Sequence, residues 1–108
     1  MKPNRYMVLA GTPDGVVTGV VISNIERLRL ALQMAIATRL GVDRNTIHPP
    51  DEFVARFVSL IREAQATHGN DGAAHTSVFG LTVGVIWDES EIEAFINSTN
   101  DVEHVLAL

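Results

Sequence analysis

The sequence predicts an α+β domain in which a mainly antiparallel sheet is covered by two main helices, with a short third helix near the C-terminus. Three observations carry that expectation. An apolar, β-prone run and a β-branched run flank the turn Thr12-Pro13-Asp14-Gly15. Two long stretches, 24–40 and 50–68, space their apolar residues at helical period. A third stretch, Ser77 to Trp87, alternates with period two. A chain of 108 residues matches one domain, 1–108, near the commonest domain size.

Tyr6 to Ala10 is apolar and β-prone, and Val16 to Ile22 is β-branched almost throughout. Proline pre-sets φ in the turn between them and glycine is free to take positive φ, so the two runs form an N-terminal β-hairpin. A helix follows over Asn24 to Leu40. Ser23 is placed to cap it, with Glu26 completing a capping box and Gly41 supplying a left-handed stop. Its apolar residues form two faces. Ile25, Leu28, Leu32, Ile36 and Leu40 share one side, while Leu30, Met34 and Ala37 lie roughly opposite.

Pro49-Pro50 punctuates the connector that follows. The second proline fits a first helical position, with Asp51 and Glu52 in the dipole-favoured first turn. The second helix then runs to about His68, with Phe53, Val54, Phe57, Val58, Leu60, Ile61 and Ala64 on one arc. Gly69 to Ala74 reads as a loop and Ser77 to Trp87 as one long third strand. Asp88 to Asn97 reads as a short helix capped by Asp88 and Glu91, and alternation in Val102 to Leu108 favours a last strand. The segments Gly15 to Ser23 and Gly80 to Asp88 echo each other at an offset of 65, each with glycine at its first and fifth positions.

Charge and composition exclude several function classes. A formal net charge of −5 without a basic stripe argues against nucleic-acid binding. The absence of cysteine removes disulfides, thiolate catalysis and cysteine-based zinc sites, and fits a reducing, cytoplasmic location. No stretch approaches the ~20 apolar residues of a membrane-spanning helix. Hydrophobic content of 46% on so short a chain favours burial of some surface against a partner.

Polar candidates are weaker than their structural explanations. His48 and Asp51 lie three apart around two prolines, but Asp51 is already accounted for at a helix start. His68 falls in a last helical turn, where a cation is favoured; His75, seven residues on in the loop, could form a small metal-binding or ligand-gating pair with it, but a lone loop histidine is usually just solvated. Asp88, Glu89, Glu91 and Glu93 crowd a first helical turn without metal-loop spacing. Phosphate-loop and nucleophile-elbow patterns are missing, so no cofactor or catalytic residue is expected.

The function expected from the sequence is a non-enzymatic protein-interaction module that self-associates and binds another protein. Leu30, Met34 and Ala37 are its candidate interface. The alternative is a small-molecule-binding regulatory domain with a pocket between sheet and helices near Trp87, His75 and His48. An enzyme built on His48, Asp51, His68 or His75 ranks third.

Overall fold

The computed structural model of the protein describes residues 5–97 and the backbone course of 102–107. In chain order the elements are β1 (Tyr6–Gly11), β2 (Val17–Ile22), α1 (Leu28–Leu40), α2 (Asp51–His68), β3 (Ala73–Val78), β4 (Leu81–Ile86), α3 (Glu89–Asn97) and β5 (Val102–Ala107). The sheet order is β3-β4-β1-β2-β5. The first four strands are mutually antiparallel neighbours, and β5 runs parallel to β2. The α+β class and the mainly antiparallel sheet therefore stand as the sequence predicts.

The first turn forms as its residues dictate. The Gly15 amide donates to the Thr12 carbonyl at 3.0 Å, the Thr12 amide donates to the Val16 carbonyl at 3.2 Å, and Gly15 takes φ +92°. That is a type I turn closed by a glycine bulge, a common three-residue hairpin loop. Helix α1 is entered differently from the expected capping box. Asn24, not Ser23, is the cap: its Oδ1 accepts from the Glu26 amide at 3.0 Å and starts a single 3-10 turn that feeds α1. Gly41, at φ +70°, ends the helix as anticipated. Leu40 was expected on the buried side but is 41% exposed, because it sits in the last turn where the chain leaves the sheet. Pro50 is extended and flanks α2 instead of opening it, so Asp51 is the first helical residue.

The long third strand is a correction. The run folds back on itself at Phe79-Gly80, giving the hairpin β3–β4, and the last two residues of the expected loop, Ala73 and Ala74, belong to strand β3. Both turn residues have positive φ, 53° for Phe79 and 74° for Gly80. Such a two-residue turn suits the twist of a hairpin but normally uses asparagine or glycine at its first position. A bulky residue there is sterically disfavoured, so the turn left no mark in composition.

Both faces of the sheet are covered. On one, Tyr6, Val8, Val20, Ile22, Val83 and Val85 pack with α1, through Leu28, Leu32 and Ile36, and with α2, through Phe57 and Ile61. On the other, Met7 and Ile86 pack against Ile92 of α3, with Leu9, Val21, Phe95 and Ile96 around them. Register explains the echo in the sequence. Leu9 of β1 stands between Gly19 of β2 and Gly84 of β4, and Val8 likewise stands between Val20 and Val85. The two echoing segments are thus the two strands that flank β1, each following a turn glycine and each leading into a helix.

Candidate functional site

Among the described residues, β3 ends the sheet with no strand on its outer side. The two-residue turn fixes which backbone groups face out. Val78 and Leu81 form the hydrogen-bonded pair beside the turn, and alternation along the antiparallel ladder makes Thr76 and Ala74 bonded to β4 as well. The amides and carbonyls of Ala73, His75 and Ser77 therefore point away from the sheet. Four of the devices that normally blunt an edge are missing from it: the strand AAHTSV has no lysine, no proline, no carboxylate and no bulge.

Helix α2 runs beside this edge and turns it into a groove. A cavity of about 400 Å³ is lined by Leu60, Glu63, Ala64, Thr67 and His68 of α2 and by Ala73, Ala74 and His75. A second, of about 130 Å³, is lined by Phe53, Arg56, Phe57 and Leu60 with Thr76 and Ser77. Leu60 borders both, so they form one trough along the strand, with helix and strand antiparallel. Leu60 is 39% exposed there, and Phe79, at the end of the strand, is 49% exposed. These are two of the large apolar side chains left most open to water. Arg56 and Glu63 are exposed and make no ion pair among the described residues.

The residues singled out from the sequence go elsewhere. Ala37 is buried in the chain's own core, Met34 packs partly against it, and Leu30 is half-buried. The second face of α1 thus finds much of its cover within the chain. Two polar residues of that helix also have intramolecular partners: Arg29 donates to the Pro49 carbonyl at 2.8 Å and Gln33 to the Arg44 carbonyl at 2.7 Å.

Trp87, His75 and His48 are not brought together. Trp87 is 2% exposed, its indole N–H donates to the Gly69 carbonyl at 2.7 Å, and its ring meets Tyr6 edge-on with centroids 6.5 Å apart. It presses on Gly72, where an added Cβ would come within 2.7 Å of the ring. The indole therefore seals the core. His75 belongs to the opposite strand parity, beside Gly84, and His48 is exposed in the connector.

Three of the acidic candidates, Asp51, Glu89 and Glu93, are held by arginines, and Asp88 accepts from Ser90. Asp51 accepts from Arg29, and among the described residues it makes no hydrogen bond with His48. Arg5 reaches from the start of β1 to Glu89, at 2.7 Å from Nε, and to Glu93. Those two hydrogen bonds raise the Arg5 pKa above its ordinary value and tie the first strand to α3. Of the histidines, His68 and His75 both border the α2–β3 cavity, but the parity of β3 puts the His75 side chain on the sheet face away from α2. No cluster of three or more metal-ligating side chains exists among the described residues, nor any helix long and apolar enough to cross a membrane.

No protein-family model, no curated protein and no solved structure matches this chain. The open edge was invisible in the sequence because Gly69 to Ala74 read as loop and Ser77 to Trp87 as one strand. The one signal that could have exposed it is Ala73 to Val78 itself, a six-residue run without Asp, Glu, Lys or Arg, with Gly80 two residues beyond it.

Proposed function

We propose that the chain is a non-enzymatic protein-interaction module that takes an extended segment of a partner chain onto β3 by strand addition. The observation that carries this reading is the unblunted edge of β3 beside α2, with outward backbone groups on Ala73, His75 and Ser77. Main-chain hydrogen bonds supply affinity in such complexes and flanking pockets supply selectivity. The exposed Leu60 provides an apolar contact along the trough. Phe79 adds support: a bulky residue held at positive φ is strained, and strain of that kind concentrates at functional sites.

Ser77→Pro tests the reading. It deletes an amide that bonds to nothing among the described residues, so the fold should survive while strand addition fails. Partners captured by the wild type and lost by Ser77→Pro support the reading. Equal capture by both overturns it.

A second reading, a small-molecule-binding regulatory domain, is supported by the sheet's other face. Gly19 and Gly84 thin that face on both sides of Leu9. Among the described residues a mainly apolar hollow of about 270 Å³ lies there, bordered by Leu9, Val17, Gly84 and Phe95. A melting shift with an apolar metabolite, abolished by Gly84→Leu, favours that reading; no shift across a panel removes it.

A further inference from the structure

We infer that a second copy of this chain occupies the β3 edge, joining two sheets into one across a two-fold axis. The inference rests on the strand-addition reading and names its occupant. Pairing two copies of β3 requires outward-facing residues to meet one another. With Ala73, His75 and Ser77 facing out, an antiparallel pairing about His75 satisfies this throughout. It sets His75 against the partner's His75, and Ala73 against the partner's Ser77.

Helix α2 independently supports the same axis. Arg56, Leu60 and Glu63 lie on its exposed side at i, i+4 and i+7. Leu60 borders both cavities and so stands at the middle of the trough. In an isologous contact every pairing occurs twice. Two α2 helices related by an axis near Leu60 run antiparallel, so Arg56 faces the partner's Glu63 and Leu60 meets the partner's Leu60. This surface is complementary in charge to itself, which a patch of one sign is not.

The spacings agree. Strands repeat at roughly 4.8 Å and packed helices at roughly 8–10 Å, so one helix covers two strands. Here α2 lies over β3 next to α1, which lies over β1 and β2. Continuing the sheet with a second β3 leaves the next helical position for the partner's α2.

Sedimentation velocity between about 1 and 100 μM, a range that brackets micromolar dissociation constants, provides the test. The wild type should move from monomer to dimer. Arg56→Glu and Glu63→Arg should each weaken the dimer about tenfold or more, and the double charge swap should restore it, since both cross-pairs re-form with reversed sign. Ser77→Pro, with native far-UV dichroism, should be monomeric. If Ser77→Pro does not fold, the charge-swap cycle decides alone.

A wild type that stays monomeric at about 100 μM, or a double swap no better than the singles, overturns self-pairing. Amide exchange at His75 and Ser77 separates the failures. Protection of these amides by a captured partner with a monomeric wild type removes only the self-pairing inference. Free exchange in both situations removes strand addition as well.

Discussion

The hairpins β1–β2 and β3–β4 are made from similar local parts and end in different surroundings. The first lies at the centre of the sheet, with β4 on one side, β5 on the other and helices on both faces. The second has one central strand and one at the rim. Met7, Val8, Ala10, Val20 and Ile22 of the first hairpin are fully buried, while His75, Ser77 and Phe79 of the second are exposed. A strand's neighbours, and not its own composition, decide how much of it is committed to the core. The uncommitted strand is the one left for binding.

Breaking each hairpin from its core side should show the largest contrast. Ile22→Ala removes a side chain with no solvent exposure and should cost about 2–5 kcal/mol in urea denaturation. Val78→Ala, at a half-buried site near the rim, should cost below about 1 kcal/mol. Equal losses would show that the rim hairpin is as tightly integrated as the central one.

The turns sharpen the comparison at smaller scale, because one carries its natural residue and the other does not. Gly15→Val places a β-branched residue at φ +92° and should destabilise by roughly 1 kcal/mol or more. Phe79→Asn replaces a strained aromatic at φ 53° by a residue that tolerates that region, and should stabilise by about 0.5–1 kcal/mol. A stabilised Phe79→Asn chain that also associates less well would tie the strain to binding.

The smallest effect is confined to acid. The Thr12 hydroxyl donates to the Asp14 carboxylate and holds its pKa below the usual 3.8. A depressed carboxylate stabilises the fold above its unfolded-state pKa, and that contribution disappears as pH falls through the folded-state value. The gap in melting temperature between wild type and Asp14→Asn should therefore be present near pH 6 and narrow towards about pH 3. A gap that does not change with pH would remove the hydrogen bond from the account of this turn.

Several features were legible in the sequence because each depends on residues close together. Pro13-Asp14-Gly15 makes a turn through φ preferences, Gly41 stops a helix for the same reason, and the apolar spacing of 51–68 makes a helix one-sided wherever it packs. The composition also set the class, since one short chain with alternating and helical segments must layer helices on a sheet. Other features only the tertiary structure decided. The hairpin at Phe79-Gly80 is held by pairing with β4, and β4 is placed by its pairing with β1. Met34 and Ala37 look unpartnered on a helical wheel, but the fold buries Ala37 and packs Met34 against the same core. Which strand ends the sheet is likewise absent from any local pattern. Backbone hydrogen bonds across a ladder join residues far apart in the chain, so an open edge exists only after every other strand has found its neighbours.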